Sequence, residues 1–260
     1  SLSEVFEFTG EVVPYRRVEV RSQVDGIILE RPFIEGQVVQ EGDVLYQLER
    51  VQHEARYRSA TARLENARSS LARLEPLLDR RAVAQQDVDN AVAAMIDAEA
   101  AADQAEKDLA DTTVRAGMTG RVGETLMEVG ARVTGPADLL TTVERLDPVY
   151  VSFRPSSEQF FAWQQDAASW ALIQPGGGLT VEVPLPDGSP FPQSGSIDFV
   201  APTVAAETGT RELRAIFQNP ELLLAPGQFV RVRLSGFTRE NALAVPQRAA
   251  TWYVFRLNGQ

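Results

Sequence analysis

Two hydrophobic periodicities alternate along the chain. From Tyr57 the apolar positions Tyr57, Ala60, Leu64, Ala67, Leu71, Leu74 and Leu78 advance in steps of three and four, and Val88, Ala91, Met95, Ala98, Ala102, Ala105 and Leu109 repeat that rhythm. Both runs are heptad seams separated by a short break, so the pattern predicts two helices paired as an antiparallel coiled coil. Arg, Glu, Asp and Gln fill the flanks, as solvated faces require. Alanines on the second helix let its backbone approach the larger leucines of the first. At ~1.5 Å per residue such an arm extends roughly 40 Å.

On either side of this arm the period drops to that of short strands. The segments VRSQVDGIILERPFIEGQVVQEGDVLY and VRAGMTGRVGETLMEVGARVTGPADLL align at an offset of 94, placing Val20 on Val114, Gly26 on Gly120, Gly36 on Gly130, Val39 on Val133 and Leu45 on Leu139. The repeated glycines are expected in turns that need positive φ. Each half alone leaves one apolar face uncovered, so two halves are expected to close into a small β-sandwich.

After Arg145 a third pattern begins. Val149, Val151 and Phe153 alternate as a strand, and Ser156 and Gln159 stand at capping-box spacing at the start of one short helix. Strands are expected at 179–184, 195–200, 211–217 and 229–234, joined by turns at Pro186-Asp187-Gly188, Asn219-Pro220 and Pro226-Gly227. With a strand at 8–13 they form a small antiparallel barrel. Residues 242–246 and 252–257 begin a further β-rich unit, with which 2–6 are expected to pair.

Composition narrows the chemistry. A chain of 260 residues with formal net charge −11 lacks the cation surplus that phosphate neutralisation needs, so no nucleic-acid partner is expected. It contains no cysteine, which removes disulfides, thiolate metal sites and thiol nucleophiles. No apolar run approaches the ~20 residues that cross a bilayer, and there is no secretion signal. The start at Ser1-Leu2-Ser3 reads as processed or engineered, with any membrane anchor lying ahead of it.

The stretch VDGIILERPFIEGQVVQEGDVLYQLE resembles the first half of a lipoyl or biotinyl carrier domain. A carrier needs a lysine on the tight turn between its halves, but here the helical arm replaces that turn. The only lysine, Lys107, falls within the second helix. No cofactor is therefore expected. Nor is there a nucleophile elbow, a phosphate loop or a metal-ligand spacing, and the chain reads as non-enzymatic. Gly176-Gly177-Gly178 lacks the Lys-Ser/Thr and the helix of a phosphate loop and reads as a connection. His53, the only histidine, reads as an ordinary helix-start residue. Met95 reads as core, while Met118 and Met127 belong to the second half-motif.

Split lipoyl-like halves around a hairpin resemble the periplasmic adaptors, or membrane fusion proteins, of tripartite efflux pumps. The stretches YRRVEVR (15–21), LDPVYV (146–151), LRAIFQNP (213–220), LAPGQFVR (224–231) and VPQ (245–247) are similar to the branch serving resistance-nodulation-division (RND) multidrug transporters. The resemblance implies a multidomain, elongated, mainly β protein with a long antiparallel helical hairpin. Its parts would be a hairpin at 51–112, a lipoyl-like sandwich from 18–50 and 113–144, a barrel from 8–17 and 145–236, and an incomplete membrane-proximal β domain from 1–7 and 237–260. It also implies a periplasmic, inner-membrane-associated protein of a Gram-negative cell. Such a protein binds an RND transporter, meets a TolC-like outer-membrane channel through its hairpin tip and self-associates into a ring. An adaptor of an ABC-type exporter or type I secretion system shares the split-lipoyl plan and is the alternative.

The family's tip motif, Arg-x3-Leu-x6-Ser, falls on Arg73, Leu77 and Ala84, with the serine replaced. Alanine forfeits an N-cap worth ~1 kcal/mol, with Asp87 three positions on. Arg73 reads as a solvated coiled-coil arginine or as a channel contact, and the resemblance favours contact. Leu77, beside the seam residue Leu78, is expected at the exposed tip. Pro76 is expected to bend or loosen the helix, or to be tolerated near its end.

Overall fold

The structure, a computed structural model, describes residues 2–185 and 188–239. Pro186 and Asp187 of the expected turn, and the segments 242–246 and 252–257, lie outside the described residues. The elements run β1 (Leu2–Arg21), β2 (Asp25–Glu30), β3 (Val38–Val39), β4 (Val44–Leu48), α1 (Val51–Asp79), α2 (Gln85–Ala110), β5 (Thr113–Arg115), β6 (Gly120–Val122), β7 (Arg132–Thr134), β8 (Leu139–Phe153), α3 (Ser157–Gln165), α4 (Ala167–Ile173), β9 (Thr180–Glu182), β10 (Ser196–Ala205), β11 (Thr210–Phe217) and β12 (Phe229–Arg239). Two compact units result, one from residues 17–144 and the other from 1–16 with 145–260.

In the first unit the repeat becomes a reciprocal pairing. Val39 of β3 pairs with Gly120 of β6, and Gly26 of β2 pairs with Val133 of β7. These are the same two positions with the halves exchanged, as are Val38↔Arg121 and Ile27↔Arg132. Each half thus supplies strands to the other's ladder, and neither sheet can form from one half. The four-stranded sheet β5-β4-β2-β7 packs over β3, β6 and the start of β8. Ile28, Leu45, Tyr46, Leu48, Val133 and Leu140 fill the space between. The Tyr46 hydroxyl donates to the carbonyl of Leu140, its own repeat partner, at 3.1 Å. Burial pushes that phenol above its usual pKa.

The glycines divide into two kinds. Gly36 and Gly130 have φ of +77° and +91°, as a turn requires. Gly26 and Gly120 instead lie in strands, contrary to the expectation that all the repeated glycines serve turns. A Cβ on Gly120 would sit 2.6 Å from the Glu144 carbonyl oxygen, so this glycine permits the close approach of β6 to β8.

Two loop carboxylates support the sandwich. Glu35 accepts from the Thr125 amide at 2.7 Å, joining equivalent regions of the two halves. Asp138 accepts from both the amide and the hydroxyl of Thr134 at 2.7 Å. These bonds hold both carboxyls below their ordinary values.

The second unit is a barrel with strand order β10-β11-β8-β1-β12-β9. Reciprocal amide bonds between Val181 and Gly195, at 3.0 and 2.8 Å, bring β9 to the start of β10 and close it. Residues 2–6 pair with β12 from Leu234 to Arg239, in an antiparallel ladder that continues beyond a bulge near Phe6; their expected pairing with 242–257 lies outside the described residues. α3 begins as its capping residues predict, with the Gln159 amide donating to the Ser156 hydroxyl at 3.2 Å. Phe160 and Trp163 on its inner face pack into the barrel core, and the Trp163 ring stacks on Phe237 at 5.5 Å. A second helix, α4, follows although a single short helix was expected, because the Asp166 carboxylate accepts the Ser169 amide at 3.1 Å and restarts the helix with a new N-cap.

The stretches that carried the family resemblance converge on barrel joints. Asn219, fully buried, donates through Nδ2 to the carbonyls of Leu146 and Leu224 and accepts the Leu224 amide, while its own amide donates to Asp147. One asparagine therefore joins three of those stretches. Arg214 grips Asp198 through two nitrogens and lies 3.9 Å from the Tyr150 ring centroid, with Tyr15 a further 5.2 Å along.

Asn219→Ala leaves three buried backbone groups without these partners and is expected to lower the stability of the barrel by roughly 2–4 kcal/mol. The effect should appear as a lower denaturant midpoint at constant slope; a loss below about 0.5 kcal/mol would show that the knot is dispensable. The two depressed carboxyls give a second expectation. Their contribution is present above the ordinary values of 4.5 and 3.8 and is lost as pH falls below them. Paired substitution Glu35→Gln and Asp138→Asn should therefore flatten the acid limb of a melting-temperature profile while changing its neutral plateau downward.

Candidate docking site at the hairpin tip

The hairpin grows from a tied base. β4 leads into α1 and α2 leads into β5, and these two strands pair at Gln47↔Thr113. The Leu48 amide donates to the Thr112 carbonyl at 2.8 Å, and the buried Thr112 hydroxyl donates to Leu109 at 2.7 Å. His53 stands in the first turn of α1, as expected, but is more than an ordinary helix-start residue. Only 4% of its surface is exposed, and Nε2 donates to the Asp25 carbonyl at 3.0 Å, so it pins the first turn of α1 to β2. Its Nδ1 is buried without a hydrogen-bond partner among the described residues. Sequence pattern could not find this role, because the carbonyl that holds the ring is 28 residues away.

Both seams lie where the heptads put them. Leu64, Val88 and Ala102 are buried and the remaining seam residues are half-buried. A two-helix arm has no third layer, so each seam residue is covered from one side only. Arg68 on α1 reaches Glu99 on α2 at 2.7 Å, an exposed pair that sets register more than stability. Lys107 bonds Asp111 one turn on, at 2.5 Å, which raises its pKa. It is a surface helix residue on the arm.

At the tip, α1 continues through Pro76 to Asp79. The proline removes the donor that would have met the carbonyl one turn back, yet the helix ends only after it. Arg73 and Leu77 are one turn apart on α1. Arg73 is exposed, with Nη2 donating to the Ser70 hydroxyl at 3.2 Å, and Leu77 is 38% exposed. The chain then reverses in a Schellman arrangement, with Arg81 donating to the Leu78 carbonyl and Ala82 to the Leu77 carbonyl, both at 2.8 Å. Arg81 has φ of +55°, a left-handed conformation that costs an L-residue about 1 kcal/mol and that glycine ordinarily takes. Sequence reading passed over Arg81 because no glycine marked the turn.

Ala84 occupies the N-cap of α2 with extended φ and ψ of −77° and 151°. Its amide donates to the Asp87 carboxylate at 3.2 Å, which is half of a capping box. The other half needs a side-chain acceptor for the Asp87 amide, and a methyl group supplies none, so this amide donates to the Ala84 backbone carbonyl at 3.1 Å instead. The three tip positions thus belong to one turn: Arg73 and Leu77 on its entering helix, Ala84 opening the departing one. Among the described residues no cluster of three or more His, Cys, Asp or Glu side chains could hold a metal ion, and no helix is long and apolar enough to cross a membrane.

Comparison with known proteins matches both units. Residues 16–143 fit the family "RND MFP, barrel-sandwich hybrid domain" and residues 148–236 fit "RND MFPs, beta-barrel domain". The chain is 39% identical over 247 residues to the antibiotic efflux pump periplasmic linker protein ArpA of Pseudomonas putida, covering 94% of this chain and 67% of that protein. It is 38% identical over 260 residues to the multidrug efflux pump subunit AcrA of Escherichia coli K12, covering 94% and 66%. The chain therefore spans about two thirds of the length of the curated relatives it matches. Among solved structures, a MacA–MexA chimeric protein carrying the Pseudomonas aeruginosa MexA α-hairpin aligns with a TM-score of 0.69 at 23% identity, covering 90% and 79%. The membrane fusion protein Spr0693 of Streptococcus pneumoniae R6 aligns with a TM-score of 0.67 at 17%, covering 90% and 100%. These two share the fold.

The incomplete box yields an expectation. Ala84→Ser supplies the missing acceptor and should stabilise the start of α2 by about 1 kcal/mol, seen as slower hydrogen exchange of the Asp87 amide. Unchanged exchange would show that the Ala84 carbonyl, which already accepts the Asp87 amide at 3.1 Å, satisfies this donor by itself.

Proposed function

Since the chain belongs to the RND membrane fusion protein family, we propose that it is the periplasmic adaptor of an RND multidrug efflux pump. It joins an inner-membrane transporter to a TolC-like outer-membrane channel and works in a ring of several copies. The reading is non-enzymatic and cofactor-free: the relatives are named linker proteins and pump subunits, and the turn where a carrier domain would bear its lysine is occupied by the hairpin.

The observation that carries this reading is the hairpin itself. A pair of helices of 29 and 26 residues is inserted between two β halves that close only on each other, so the arm is rigidly based and free at its far end. About 1.5 Å of rise per residue gives α1 a length of roughly 43 Å, enough to act as a spacer between two large partners. At its end the exposed Arg73 and Leu77 offer a cation and an apolar side chain to the channel, with Ala84 completing the contact. The replacement of serine by Ala84 removes a hydroxyl from that contact and favours a channel whose facing position is apolar.

The test is co-purification of the complete adaptor with its cognate transporter and channel. Arg73→Ala and Leu77→Ser should each reduce channel capture at least tenfold while leaving transporter capture and the melting temperature unchanged. Retention of the channel by both variants, with efflux intact, would remove the tip from the mechanism.

A further inference from the structure

Two non-glycine residues have positive φ among the described residues, and one of them, Arg81, stands at the hairpin tip. Backbone strain of this kind persists where the surroundings impose it, and it gathers at sites that act on a partner. Here the imposing groups are the two hydrogen bonds that end α1, from Arg81 to Leu78 and from Ala82 to Leu77. Glycine would make the same bonds without the clash of Cβ against the backbone. Nothing among the described residues rewards the arginine side chain in return. It is exposed and has no hydrogen bond, ion pair or ring contact among the described residues.

The charges of the turn point the same way. Arg73, Arg80 and Arg81 fall within nine residues and none pairs with a carboxylate among the described residues, although the chain as a whole carries a formal charge of −11. Of the neighbouring acids, Asp87 is engaged by the Ala84 amide and Asp89 by the Gln85 side chain, leaving Glu75 and Asp79. A guanidinium on a short, hydrogen-bonded turn is a planar fork set on a rigid base. That arrangement suits bidentate binding of a carboxylate or of paired main-chain carbonyls. Leu77 shares the turn through its carbonyl, which accepts the Ala82 amide and so places the residue after Arg81 against the proposed apolar contact.

We propose that Arg81 is a fourth docking residue of the tip, whose left-handed backbone aims its guanidinium at a carboxylate- or carbonyl-lined rim on the periplasmic end of the channel protein. The inference rests on the docking function proposed above and adds a residue outside the Arg73, Leu77, Ala84 set. It makes the tip contact a hydrogen-bonded one as well as an apolar one, with Arg81 supplying donors where Ala84 has no hydroxyl.

Arg81→Gly separates function from folding, since it removes the side chain and the strain together. In the complete adaptor it should slow hydrogen exchange at the amides of residues 81 and 82 while weakening binding to the detergent-solubilised channel about tenfold. Arg81→Lys, which keeps the charge and loses the fork, should fall between wild type and glycine. Wild-type affinity for Arg81→Gly, with binding lost in Arg73→Ala and Leu77→Ser, would overturn the role of Arg81 and leave the docking function standing. Wild-type affinity in all three would overturn both. Weaker binding accompanied by faster exchange at the tip would also overturn it, by making the effect one of folding.

Discussion

The reciprocal pairing of two half-motifs is the constraint from which the rest follows. Val39 meets Gly120 and Gly26 meets Val133, so a sheet edge from one half is always completed by the other. Everything between β4 and β5 must then leave the sandwich and return to the same place. A two-helix hairpin meets that condition, because its ends lie side by side and each helix buries the apolar stripe of the other. His53 and Thr112 complete the base, the first pinning the opening turn of α1 to β2 and the second tying the end of α2 to β4.

The arm formed in this way is thin. With only one neighbour, each helix leaves its seam half covered, and the few buried positions, Leu64, Val88 and Ala102, are widely spaced along it. Its shape is therefore maintained by helix propensity and register as much as by burial, which fits a spacer better than a binding pocket. The tip concentrates the departures from ideal helix chemistry: a proline within the last turns, a left-handed arginine and an alanine at an N-cap. Such departures weaken local structure, and they gather at the turn proposed above to meet a partner.

The barrel shows the opposite use of distinctive residues. Asn219, Asp147, Arg214 and Tyr150 belong to the stretches that most resemble the RND branch, yet each is engaged within the barrel by hydrogen bonds or ring contacts. Their distinctiveness comes from holding strand connections at fixed geometry. Likewise the space at Gly195, where a Cβ would lie 2.5 Å from the Phe217 ring, is a packing requirement. Residues that identify the family and residues proposed to act on partners are thus largely separate sets.

Periodicity by itself determined a good deal. The heptads specified both helices and every seam position, the offset of 94 specified a two-part sandwich, and the alternation at Val149, Val151 and Phe153 specified a barrel strand, because these patterns depend only on which face of an element is buried. The tip motif too was legible as to place, with Leu77 exposed beside a half-buried Leu78. What only the tertiary structure decided are contacts between residues far apart in the chain or set by backbone angles that composition does not reveal. His53 was buried by a carbonyl on another strand, Gly120 was required by a carbonyl 24 residues away, α4 was restarted by an aspartate cap, and Arg81 was driven to positive φ by the bonds that end α1. A hydrophobic pattern records burial averaged over an element, whereas a hydrogen bond or a steric approach depends on the position of one atom, and that position exists only once the chain has closed.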